Sequence, residues 1–176
     1  MDPTTGEVTA VAEGTANITA TANDGSGTTA TCSVTVYPAG TIVWDSSNIS
    51  DLNVSGTYSS YTKEGITLSA NADMIDARWY AYGDGISFNA FASGGFTFTA
   101  PTGKQFTKIE MTLNGSAGWD IAAMESKLGT GWSYSGDPMT GIYKVTWTGT
   151  AASVGLLTGA DDFNGESVKS IVFLLK

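Results

Sequence analysis

Polar and apolar residues alternate through much of this chain with a period of two, the spacing of an extended strand and not of a helix. Ala16, Ile18, Ala20 and Ala22 fall on one side, and Asn17, Thr19 and Thr21 on the other. Beyond Asn23-Asp24-Gly25-Ser26-Gly27 the pattern resumes, with Ala30, Cys32, Val34 and Val36 against Thr29, Thr31, Ser33 and Thr35. Two such runs about an Asp-Gly turn predict a β-hairpin, because Gly reaches the positive φ that the turn requires. Three strands are expected here, near 8–12, 16–22 and 28–36.

From residue 39 onward the pattern is again β. Strands are expected at 41–44, 66–70, 77–82, 86–91, 96–100, 106–113, 143–148, 152–157 and 167–175. Turn chemistry separates most of them, including Lys63-Glu64-Gly65, Gly83-Asp84-Gly85 and Asn164-Gly165. Many short strands at close spacing predict a two-sheet sandwich, jelly-roll-like in arrangement. Ile109, Met111 and Leu113 should face its core, as should Val145, Trp147, Phe96 and Phe98. Residues 171–175 are apolar on both faces, as in a strand with neighbours on each side. The best helix candidate is 121–128, with Asp120 and Gly129 as caps, although a loop or short strand fits nearly as well.

Composition narrows the class. Charged residues make up 14% of the 176, against about 25% in an average soluble domain. Gly is abundant at 22 residues, too many for long amphipathic helices and suited to a turn-rich, extracellular β protein. The net charge is −9, and eight scattered Lys and Arg make no basic stripe for nucleic acid. Without histidine, and with Cys32 as the single cysteine, imidazole catalysis and the usual zinc sites are excluded; only oxygen ligands remain for a metal. No apolar run approaches the ~20 residues of a membrane span, and the N-terminus lacks the pattern of a signal peptide.

Residues 1–40 contain Asp2, Glu7, Glu13 and Asp24 but no Lys or Arg, and the composition shifts near Tyr37-Pro38-Ala39-Gly40. The run from Asp2-Pro3-Thr4-Thr5-Gly6 through Val8-Thr9-Ala10-Val11-Ala12-Glu13-Gly14-Thr15-Ala16, with Ile18-Thr19-Ala20-Thr21 and Val34-Thr35-Val36, resembles the C-terminal half of a bacterial immunoglobulin-like domain of group 2 (BIG2). The resemblance covers about residues 1–37, so the expected organisation is a partial Ig-like domain at 1–38 and a β-sandwich module at 39–176. A complete sandwich of that kind needs about seven strands and about 100 residues. The front half is therefore expected to be missing, with Met1 a start placed within a domain and any export signal upstream. The resemblance implies a protein of the bacterial surface or exterior. The half-sandwich should expose an apolar face and pack on the second domain or on another copy of itself. Cys32, in register with Ala30 and Val34 and far from any cation, reads as a small buried hydrophobe and not a catalytic thiol.

One strand breaks the simple pattern. In Ala77-Arg78-Trp79-Tyr80-Ala81-Tyr82, Trp79 with two alanines makes a core face and leaves Arg78, Tyr80 and Tyr82 together on the other. Such a stripe suits sugars, whose C–H faces stack on aromatic rings while Arg donates to hydroxyls; the same tyrosines could equally pad the core. Trp119 and Trp132 fall in expected loops between small residues, a common setting for recognition. Asp161 and Asp162 offer oxygen ligands for calcium at a turn, but the spacing is not that of an EF-hand. Asp73 and Asp76 read as solvated turn acids ahead of a glycosidase pair. Gly83-Asp84-Gly85 and Gly129-Thr130-Gly131 join β segments and lack the helix N-terminus that a phosphate loop needs.

The second unit is similar, through Ile42-Val43-Trp44-Asp45, Gly65-Ile66-Thr67-Leu68, Phe96-Thr97-Phe98-Thr99-Ala100-Pro101-Thr102-Gly103-Lys104 and Val168-Lys169-Ser170-Ile171-Val172-Phe173, to sandwich modules repeated in surface proteins of gut-dwelling bacteria. Those modules resemble carbohydrate-binding or adhesin-like domains. The expectation is a non-catalytic glycan-binding module on an Ig-like stalk, with Arg78, Tyr80, Tyr82, Trp119 and Trp132 as contacts. The alternative is a structural spacer in which the same aromatics are buried. A carboxylate-only enzyme ranks last.

Overall fold

The computed structural model describes residues 2, 4–55, 59–71, 75–80, 85–90, 94–113, 128–137, 142–158 and 166–176. Two compact units, Met1–Ala39 and Gly40–Lys176, divide the chain.

In the first unit β1 (Gly14–Thr21) and β2 (Thr29–Val36) pair antiparallel as a two-stranded sheet, with Ile18 opposite Cys32 and Thr19 opposite Thr31. The predicted alternation holds. On one face the hydroxyls of Thr15 and Thr35, and of Thr19 and Thr31, meet at 3.1 Å, a cross-strand pairing that helps fix register. On the other lie Ala16, Ile18, Val34 and Val36. Asp24 organises the turn by accepting the Ser26 N–H at 2.9 Å, and Gly25 and Gly27 supply φ of 79° and 69°. The strand expected near 8–12 does not form: those residues have no regular structure and are exposed, because the two-stranded sheet offers them no ladder.

The second unit contains β3 (Thr41–Asp45), β4 (Asn53–Ser55), β5 (Ser60–Lys63), β6 (Ile66–Ala70), β7 (Ile75–Tyr80), β8 (Gly85–Ala90), β9 (Gly94–Thr99), β10 (Phe106–Leu113), β11 (Trp132–Asp137), β12 (Ile142–Ala151), β13 (Ser153–Thr158) and β14 (Glu166–Leu175). An eight-stranded sheet runs β11-β12-β10-β14-β8-β7-β4, with β3 also paired to β14; a four-stranded sheet runs β13-β9-β6-β5. All pairings are antiparallel. The long strand β14 has β10 along one edge, while its other edge is shared by β8 at Glu166–Val168 and β3 at Ser170–Leu174. Two-residue loop chemistry joins β5 to β6: Glu64 and Gly65 both have positive φ, 51° and 79°, as a type I′ hairpin turn requires.

The sheets share one core, so the unit is all-β and sandwich-like. Ile109, Met111 and Leu113, Val145 and Trp147, and Phe96 and Phe98 are all buried, on the face the alternation predicts. Rings meet across the interior, Phe98 with Phe173 at 5.5 Å and Phe88 with Phe96 at 5.0 Å. Trp44 is fully buried between Tyr61 and Phe173, and its indole N–H has no hydrogen-bond partner, so ring packing holds it in place. After β3 a tight turn drives two more residues inward. Asp45 Oδ1 accepts from the Ser47 N–H and hydroxyl, the Asn48 amide donates to Val43 O at 2.8 Å, and Ile49 and Leu52 drop into the core.

Three strands, β4, β5 and β11, were not expected. In β11, Trp132 and Tyr134 alternate with Ser133 and Ser135, but the flanking glycines give the segment the look of a loop. Of the candidate helix at 121–128, only Leu128 lies among the described residues, and it is fully buried.

Gly149, in β12, sits under the Trp147 ring, where an added Cβ would stand 2.6 Å from Cζ2. Gly149→Ala should cost about 1–3 kcal/mol of stability by overpacking. Gly155→Ala, at a position with nothing within 4 Å of the new methyl, should leave stability within about 0.5 kcal/mol. Denaturant melts of the two variants check the contrast.

Candidate functional site

The structure puts Arg78 and Tyr80 on one strand, β7, near a margin of the large sheet. Arg78 pairs with Asn53 of β4 and Ser87 of β8, and Tyr80 pairs with Gly85. The short strand β4 matches only residues 76–78, so Trp79 and Tyr80 run past it. Leu52, just before β4, is buried, and its N–H donates to Ile49 O at 3.0 Å within the preceding turn and not to the ladder. Only the backbone of Arg78 and Tyr80 is described, and Tyr82 and Trp119 lie outside the described residues, as do Asp73, Asp161 and Asp162.

Trp132 is placed differently from the sequence expectation. It is a strand residue, 7% exposed, and its Nε1–H donates to Gly155 O at 2.7 Å. That bond links β11, at the edge of the large sheet, to β13, at the edge of the small one, so the indole closes one side of the sandwich. Tyr134, Tyr143 and Trp147 line up beside it, each buried, with Tyr134 and Tyr143 stacked at 6.1 Å. Opposite Tyr143 stands Gly136, whose missing side chain makes room for the ring. Trp132 is thus no open stacking platform.

The outward face of the small sheet is a hydroxyl surface. Pairing aligns Thr62, Thr67, Thr99 and Ser153 in one row and Ser60, Ser69, Thr97 and Gly155 in the next. None of these carries a charge, and Thr62 and Thr67 bond to each other at 2.9 Å. On the large sheet Glu110 is held between Lys108 at 2.7 Å and Lys144 at 2.6 Å. Partial burial pushes the Glu110 carboxyl up, but the hydrogen bonds and charges of the two lysines outweigh it and hold the group below its usual value.

A polar contact that sequence reasoning missed lies between the turn after β3 and β5. Tyr61 donates its hydroxyl to Asp51 Oδ1 at 2.7 Å while its ring packs edge-on against Trp44. Burial, then the hydrogen bond and charge of Asp51, raise the Tyr61 hydroxyl to about 12. The bond correspondingly lowers Asp51. No sequence signal joins the two residues.

Cys32 departs from its reading as a buried hydrophobe: it is exposed, because the face it shares with Ile18 has no second sheet within the unit. Among the described residues no three acidic or thiol groups cluster as metal ligands, and no helix is long and apolar enough to cross a membrane. Compared with protein-family models, curated proteins and solved structures, the chain matches none.

Trp132→Phe should keep the fold and lose about 1 kcal/mol, the net worth of one hydrogen bond to a backbone carbonyl, measured by thermal or urea unfolding. Because Tyr61 holds its proton more tightly folded than unfolded, its contribution is complete below pH 10 and lost as pH rises through about 12. Tyr61→Phe should therefore flatten the fall in stability across that window, as read by denaturation at stepped pH.

Proposed function

We propose that this chain is part of a non-catalytic bacterial surface or extracellular protein, with a glycan-binding or adhesin-like sandwich of jelly-roll type carried on an Ig-like stalk of the BIG2 kind. The placement of Arg78 and Tyr80 on β7, Arg78 at the last pair with β4 and Tyr80 beyond it, carries this reading. A strand bearing Arg and Tyr at the margin of a sheet offers a guanidinium for sugar hydroxyls and a ring for their C–H faces. Elsewhere on the unit, the hydroxyl rows of the small sheet present an uncharged surface of a chemistry that suits neutral, hydrated polymers. Composition points to the same compartment, since few charges and many Gly residues are the habit of exported β modules. Arg78, Tyr80, Tyr82 and Trp119 are the proposed contacts, and Trp132, on the edge strand β11, serves the fold.

A second reading is a structural spacer. Trp132 favours it, because a candidate recognition residue turns out to be committed to closing the sandwich.

A glycan array probed with the full chain, with and without calcium, separates the two. Binding that falls at least about tenfold in Arg78→Ala and Tyr80→Ala, and survives in Trp132→Phe, establishes the glycan reading. Absence of binding across a broad array establishes the spacer.

A further inference from the structure

Cross-strand register shows which residues share a face with Arg78 and Tyr80. Val54, Ala77 and Phe88 stand opposite one another on β4, β7 and β8, and all three are fully buried. Successive residues of a strand alternate between its faces, so the positions on either side of that row belong to the outer face. One outer row is Asn53, Arg78, Ser87 and Ser167, the last on β14. The next places Asp76 opposite Asn89. Asn53 is exposed, so this face meets water. Further along β7, Tyr80 stands opposite Gly85, which has no side chain, and has no partner on β4.

The outer face of β7 thus carries an acid, a base and an aromatic residue at alternate positions, with Cα atoms roughly 7 Å apart. That order dictates a ligand class. A sugar hydroxyl both donates and accepts, and so serves a guanidinium and a carboxylate at once. A carboxylate or sulfate group only accepts; it answers Arg78 alone and is repelled by Asp76. The Asn and Ser positions of the same rows add donors and acceptors without charge. Gly85 leaves the sheet bare next to Tyr80, where the C–H face of a second ring would lie. We infer that this face binds neutral glycans through at least two linked sugar units, one on Tyr80 and one at Arg78 and Asp76, and rejects uronic, sialylated and sulfated glycans. The inference rests on the glycan reading above and adds the charge class and the minimum length of the ligand.

Isothermal titration calorimetry of the full chain tests it, with a soluble glucan, mannan and galactan against polygalacturonate, hyaluronate and chondroitin sulfate. The expected result is saturable binding of at least one neutral polymer and none of the acidic ones. That preference should persist at high salt, where the overall charge of −9 is screened. Among oligosaccharides cut from the bound polymer, the disaccharide should bind roughly tenfold or more tighter than the monosaccharide. Asn53→Ala should weaken neutral binding. Asp76→Asn, which alters the net charge by a single unit, should admit the acidic polymers and narrow the preference roughly tenfold, with urea midpoints checking that both variants fold. Acidic polymers bound as tightly as neutral ones, a preference that folded Asp76→Asn leaves unchanged, or a monosaccharide as tight as the disaccharide overturns this inference and leaves the glycan reading standing. No binding of any polymer overturns both.

Discussion

Phe173 is the joint on which the second unit depends. Its ring touches Trp44 of β3 at 5.0 Å, Phe98 of β9 at 5.5 Å and Phe106 of β10 at 5.7 Å, so one side chain ties three strands of the large sheet, its own included, to the centre of the small one. It can do so because β14 is the strand with partners along its whole length, Ile42 and Ile109 lying opposite Phe173 on either side. Burial of large aromatic side chains is the strongest single term available to a chain in which charged residues make up only 14%. The edge-to-face geometries add orientation to that burial and lock the angle between the sheets.

From that joint follows the character of the surface. A chain that places Trp44, Trp132, Tyr134, Tyr143, Trp147 and its described phenylalanines inside the sandwich leaves Thr, Ser and Gly to face water on the small sheet. On the large sheet Arg78 is the last residue of β7 paired with β4 and Tyr80 runs past that pairing, while Trp132, attractive by residue type alone, is committed to closing the sandwich. The first unit stands in contrast: the same alternation that builds a core in the second unit builds an open face in the first, since no opposing sheet is present within it.

Much of this was legible in the residues. Strict alternation gave the β1–β2 hairpin and the inward faces of β9, β10 and β12, because a strand buried on one side must repeat every second residue. The Lys63-Glu64-Gly65 turn was legible from turn chemistry. Hidden were β4, too short to show a period, and β11, whose Trp-Ser-Tyr-Ser alternation is masked by flanking glycines. The candidate site was legible only as residue types. Trp132 looked like a loop platform because nothing local announces a hydrogen bond to Gly155, and the Tyr61–Asp51 pair arises from packing between a turn and a hairpin. Exposure of Cys32 followed from what the first unit lacks, which no local pattern encodes.

Residue-resolved hydrogen exchange of the full chain tests the central claim most directly, that one aromatic joint closes the second unit while the first is an unclosed ribbon. The account predicts that amides of Met111, Ile171 and Phe98 exchange only through global opening and at a common free energy, while those of β1 and β2 exchange far faster. Protection of β1 and β2 equal to that of β10 and β14, or release of β9 well before β14, would contradict it.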